Sequence, residues 1–139
     1  MNVKVAELMI DDVVTLSESD PVRRARELVR DHRIGAIPVV DEEGEPSGIV
    51  STKDLVEDLD DDAEVVDVMT APVYTIPQYN DVHHAARLMR NHKVHHVVVT
   101  HERQIVGILS AFDLLKLVEQ HRFVMKPAPG ESKRSPKRR

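Results

Sequence analysis

The sequence predicts a mixed α+β (α/β) chain built from two β-α-β-β-α repeats that pack together as one unit. Three observations predict it. A shift of 60 residues lays Val5 on Val65, Met9 on Met69, Val13 on Val73, Thr15 on Thr75 and Val22 on Val82, and continues through Ala25 on Ala85 to Val99 under Val39. After one residue is lost in the loop near residues 41–45, a shift of 59 lays Gly48-Ile49-Val50-Ser51-Thr52-Lys53-Asp54-Leu55 on Gly107-Ile108-Leu109-Ser110-Ala111-Phe112-Asp113-Leu114. Hydrophobic residues make up 41% of the 139 and aromatics only 3%, so the core is aliphatic. A unit of about 60 residues buries too little surface to stand well alone, so the two copies should pack on each other.

Each repeat reads in the same order. A short extended piece opens it, Val13-Val14-Thr15-Leu16 or Val73-Tyr74-Thr75-Ile76. A helix follows, with Asp20-Pro21 or Asn80-Asp81 as its opening signal, because Asp and Asn cap and Pro suits the first turn. Val22, Ala25, Leu28 and Val29, and Val82, Ala85, Leu88 and Met89, recur at helical spacing. A strand is expected over residues 36–40 or 94–100, then a turn that Gly44-Glu45-Pro46 marks in the first copy. A second strand covers residues 47–50 or 105–109, and a closing helix starts at Ser51 or Ser110. The acidic Asp60-Asp61-Asp62 divides the repeats, giving residues 1–62, 63–125 and a tail of 126–139.

Composition narrows the function. With no cysteine there is no disulfide, thiolate metal site or cysteine nucleophile. No apolar run nears the ~18 residues of a membrane span. Residues 1–12 carry Glu7, Asp11 and Asp12 and no apolar core, so they are no secretory signal, and a cytoplasmic location is expected. The net charge of −5 divides into a tail of +5 and a body of −10. The tail is rich in Pro, Ser and Gly and is expected to be a disordered, solubilising end. Nucleic acid is not an expected partner, because the acidic body repels phosphate backbones and only the tail could bind them.

The Ser-x-x-Asp at each closing helix has two readings. As a capping-box variant it satisfies free backbone N–H groups. As a ligand site, the same N–H groups face a phosphate and the carboxylate accepts a ribose diol. Seven of the eight histidines lie after residue 80. His92, His95 and His96 straddle a helix end and a strand, so their side chains diverge, and no metal site is expected. With no nucleophile–base constellation and no phosphate-loop glycine pattern, no enzymatic activity is expected.

The order of these motifs resembles a tandem cystathionine β-synthase (CBS) domain pair, or Bateman module. The resemblance covers residues 3–120. Val5-Ala6-Glu7-Leu8-Met9 and Val65-Val66-Asp67-Val68-Met69 are similar to the family's opening "v.diM" segment. Ile34-Gly35-Ala36-Ile37-Pro38-Val39-Val40-Asp41 resembles its "alPVvd" strand, and the two Gly-to-Leu octapeptides above resemble its "Ghvt..Dl" element. The second copy departs where His95, His96, Val97 and Val98 replace Gly35, Ala36, Ile37 and Pro38.

The resemblance implies two repeats packed with pseudo-two-fold symmetry, homodimers, and adenosine nucleotides bound in clefts shared between the repeats. Carried over by position, a main cleft would use Thr15, Ile34, Gly35, Ala36, Ile37 and Pro38 for the base. Ser110, Phe112 and Asp113 would meet ribose and phosphate, with His95 and His96 as phosphate contacts. A second, weaker cleft would use Ser51, Lys53 and Asp54 with Thr75, Val94, His96 and Val97. The expected function is a regulatory module, with an adenine nucleotide (AMP, ADP or ATP) as ligand, that senses energy state and controls a separate effector protein. The alternative is a ligand-free scaffold that dimerises and docks a partner.

Overall fold

The computed structural model describes residues 2–56 and 58–120. The expected tail at 126–139 and His121 lie outside the described residues. In chain order the elements are α1 (Val5–Leu8), β1 (Leu16–Ser17), α2 (Val22–His32), β2 (Ala36–Val40), β3 (Pro46–Ser51) and α3 (Thr52–Leu55). A 3-10 turn at Val65–Asp67 then leads to β4 (Thr75–Pro77), α4 (Val82–His92), β5 (His96–His101), β6 (Gln104–Ser110) and α5 (Leu115–Gln120). Among the described residues, no helix is long and apolar enough to cross a membrane.

The repeat is visible in the sheets. β1 runs parallel to β2, and β2 is antiparallel to β3. β4, β5 and β6 form a second three-stranded sheet in the same order and sense. Each antiparallel pair shifts register at the same place, Val39/Val40 and Val99/Thr100. The two long helices, α2 and α4, each span 11 residues and bury Val22, Ala25 and Leu28, or Val82, Ala85 and Met89. That spacing turns one apolar stripe onto each sheet. Both helices stop at a residue in the left-handed region, Arg33 and Lys93, which reverses the chain toward β2 and β5.

The opening segment of each repeat packs on the opposite repeat. Val5 and Leu8 lie in the second repeat's core with Ile76, Ala85, Val97 and Leu109. Val65 lies in the first repeat's core with Leu16, Ala25, Ile37 and Val50. Backbone bonds fix the exchange. Val5 N–H donates to Asn80 O at 2.8 Å, and Val65 N–H to Asp20 O at 2.8 Å. Ile10 bridges Ile108, and Thr70 bridges Ile49. The methionine of each opening segment then sits where a side chain would otherwise stand. A Cβ at Gly48 would overlap Met69, and one at Gly107 would overlap Met9. The Met of one motif and the Gly of the other are therefore one packing pair, made across the repeats.

Three local expectations are corrected. Asp20 and Asn80 do not cap the long helices: the capping positions are Pro21 and Asp81, and neither makes a side-chain cap bond. The exchanged segments do that work, since Val22 N–H donates to Ala63 O and Val82 N–H to Val3 O, both at 2.8 Å. Asp20 accepts from Ser17 N–H, and Asp81 pairs with Lys4 at 2.8 Å. The second closing helix begins at Leu115, after a turn over residues 111–114, not at Ser110. Val94 and His95 precede β5 instead of belonging to it, because the left-handed turn at Lys93 delays the first ladder pair to His96 and Ser110.

Candidate functional site

Ser51 ends β3 and opens α3, which places Asp54 one turn into the helix. Ser51 N–H donates to Asp54 Oδ2 at 2.9 Å and Ser51 Oγ donates to the same oxygen at 3.2 Å. The capping reading of Ser-x-x-Asp therefore holds here. The other carboxylate oxygen turns toward the second repeat, where Thr70 Oγ1 donates to Oδ1 at 3.3 Å. A carboxylate offers about four lone-pair sites, so this cap leaves acceptor capacity for a ligand. Ser110 N–H donates to Asp113 Oδ2 at 2.9 Å, and Asp113 N–H donates to Ser110 Oγ at 3.0 Å. Asp113 is 9% exposed, against an exposed Phe112 beside it at 78%.

A cavity of about 350 Å³ opens between the repeats on the Asp54 side. Its first wall is Ile49, Ser51, Thr52, Lys53 and Asp54 of the first repeat, with Gly35 beside them. Its second wall is Thr70, Pro72, Val73 and Tyr74, the chain leading into β4. Val94, His95 and His96, which lead into β5, form the third. Tyr74 stacks on His92 with ring centroids 4.1 Å apart and an angle of 20° between planes, which holds the phenol ring in place. Burial pushes the His96 imidazole below its ordinary value; the neighbouring His95 adds to this and Asp113 opposes it. His96 is therefore biased toward the neutral form.

Five residues expected in the second cleft meet in this cavity: Ser51, Lys53, Asp54, Val94 and His96. Gly35 and His95, expected across the molecule with Asp113, line it too. Val97 is fully buried in the second core and Thr75 is exposed on β4, so neither lines it. Of the residues expected around Asp113, Ile37 has its side chain in the first repeat's core, and Ala36 and Pro38 are buried on the opposite face of β2. Ile34 is half-buried against that core, Ser110 is half-buried, and Thr15 is exposed. The sequence reading missed Thr70 and Tyr74. The repeat itself held the signal: the first copy has Ile10 and Val14 at those positions.

Other depressions lie elsewhere among the described residues. A groove of about 550 Å³, wide open to solvent, runs past Arg26, Val29, Leu55 and Val56. A pocket of about 400 Å³ is lined by the carboxylates Glu18, Asp41, Glu42 and Glu64. Neither contains a Ser-x-x-Asp carboxylate. The histidines at 92, 95 and 96 gather no ion-binding set among the described residues. Asp81, His83 and His84 have ligand atoms within 4.8 Å of one another, but Lys4 already pairs with Asp81 and holds its carboxyl below the usual range.

Comparison with known proteins decides the family. The CBS domain model matches twice, over residues 5–61 and 65–120. The chain belongs to the CBS domain family. The CBS domain protein PAE2072 from Pyrobaculum aerophilum, solved in complex with AMP, is 28% identical with a TM-score of 0.75, over 84% of this chain and 97% of that one. The CBS domain pair of protein MJ0100, in complex with 5′-methylthioadenosine and S-adenosyl-L-methionine, is 25% identical with a TM-score of 0.78, over 86% of this chain and 98% of that one. An uncharacterized protein of Methanocaldococcus jannaschii, MJ1404, is 29% identical over 133 residues. That match covers 83% of this chain and 32% of the relative, so the chain spans about a third of its length.

Proposed function

We propose that this CBS pair is a regulatory module that binds an adenosine ligand in the Asp54 cavity and passes the occupied state to a separate protein. One observation carries the reading: the cavity joins a Ser-x-x-Asp carboxylate from one repeat to Tyr74, His95 and His96 of the other. The carboxylate suits a ribose diol, the apolar Ile49, Val73 and Val94 suit a base, and Lys53 and the imidazoles suit a 5′ substituent. The relatives solved with AMP and with 5′-methylthioadenosine and S-adenosylmethionine support an adenosine ligand. Because the walls come from both repeats, a ligand would bias how the repeats sit together, which is a signal another chain can read. We place the module in the cytoplasm as a homodimer, with the exposed apolar Val56, Leu115 and Val118 available to be covered.

A thermal-shift panel of AMP, ADP, ATP, NAD and S-adenosylmethionine tests the reading. A ligand at 100 times its dissociation constant adds about 2.7 kcal/mol to stability. At least one member should raise the melting temperature of the full chain and lose that effect in Asp54→Ala. No shift with any of them at millimolar concentration would leave the ligand-free docking scaffold as the function. Light scattering checks the dimer, and a monomer mass at micromolar protein would remove it.

A further inference from the structure

An adenosine site in this cavity must also accommodate the ligand's 5′ end, and the charges that line it limit what that end can be. Lys53 contributes a fixed positive charge and Asp54 a fixed negative one. Among the described residues, the other titratable groups on the walls are Tyr74, His95 and His96, and His96 is half-buried. Thr70 and Thr52 supply hydroxyls without charge. The first repeat, which holds Asp54, carries −10 over residues 1–62 and repels a polyanion at longer range. α3 has only four residues, so its dipole adds little for phosphate. The volume, about 350 Å³, lies near the lower end of the ~300–1,000 Å³ common for ligand sites.

We propose that the cavity selects adenosine ligands with at most one phosphate at the 5′ position and discriminates against the di- and triphosphate. This rests on the Asp54 cavity being the adenosine site. A single phosphate can lie against Lys53. Among the described residues on these walls, the second and third would find no further fixed positive charge, and each must leave water without a partner.

Calorimetry on the full chain, without divalent cations and at pH about 7.5, where an ordinary imidazole is mostly neutral, makes the test with adenosine, AMP, ADP and ATP. AMP should bind at least about tenfold more tightly than ATP, with adenosine within about tenfold of AMP. His95→Lys places a fixed charge on an exposed part of the wall and should improve ATP more than adenosine, narrowing the AMP-to-ATP ratio about threefold or more. ATP binding as tightly as AMP, with the binding lost in Asp54→Ala, would overturn the selection while leaving the adenosine site standing. An unchanged ratio in His95→Lys would overturn its electrostatic basis. No binding by any of the four would remove the adenosine site itself, and the selection with it.

Discussion

The Asp54 and Asp113 sides of the molecule share one scaffold and differ in their linings. Each has an opening segment exchanged from the other repeat, a methionine seated on a glycine, and a serine–aspartate cap at the end of a strand. The side chains around the caps then diverge. Where the Asp54 side has Thr70, Tyr74, His95, His96 and Lys53, the equivalent positions around Asp113 are Ile10, Val14, Gly35, Ala36 and Phe112. Asp12 stands in place of Pro72. The Asp113 side thus loses the hydroxyl that meets the carboxylate and the fixed positive charge, and gains an acid. The duplicated packing sets the fold, and we propose that the unequal linings set which cleft takes an anionic ligand.

The largest effect tests the shared part. Gly48→Ala and Gly107→Ala should each destabilise by about 1–3 kcal/mol, because the new methyl meets a packed methionine. Denaturation curves should give similar losses for the two. If one costs nothing, the exchange is not symmetric.

The next test moves one lining toward the other. Thr70→Ile copies Ile10 and removes the hydroxyl donor to Asp54 Oδ1. It should cost about 0.5–1.5 kcal/mol of stability, measured by denaturant titration. An unchanged midpoint would mean that the 3.3 Å contact contributes nothing in solution.

Exchanging Lys53→Phe, to match Phe112, should weaken AMP by about 0.5–1.5 kcal/mol and leave adenosine within error. Equal losses for both ligands would show that the ammonium does not meet the phosphate.

The smallest effect is on pH dependence. His96 on β5 feels the charges of His95 and Asp113, and it shares the cavity lining with Asp54, Lys53 and Tyr74. Its folded value lies below the ordinary 6.5. The unfolded chain therefore takes up a proton first as pH falls. The stability from a neutral His96 is fully present above about 6.5 and is lost as pH falls through the folded value. The melting temperature should decline from pH about 7.5 to 5.5, and His96→Gln should decline less over that window. Parallel profiles would remove His96 from the account.

Much of the fold was legible because duplication shows twice. The helices at Val22–His32 and Val82–His92 follow from apolar spacing alone, and the last strand of each sheet follows from the repeated Gly-Ile segment. The exchange of opening segments was not legible. Val5 and Val65 align with each other, and nothing in the spacing says which core each enters. Asp20 and Asn80 misled for the same reason, since carbonyls from the exchanged segments fill the place they were expected to take. At the site, the Ser-x-x-Asp pairs stood out from the sequence, but Ile37 and Val97 were read as lining and have their side chains in the two cores, because the middle strand of each sheet turns alternate side chains inward. His95 was read as a phosphate contact for Asp113 alone, and it lines the cavity of Asp54 beside His96, which was expected in both clefts. From sequence the Asp113 cleft ranks first; we propose the reverse order.

Calorimetric titration of AMP into Asp54→Ala and Asp113→Ala tests that order directly. Losing charge-assisted hydrogen bonds from a carboxylate costs ~1.5–3 kcal/mol, roughly ten- to a hundredfold in affinity. Asp54→Ala should lose AMP by that factor, and Asp113→Ala should stay within about threefold of the parent chain. A larger loss from Asp113→Ala than from Asp54→Ala would contradict the account and return the ligand to the other cleft.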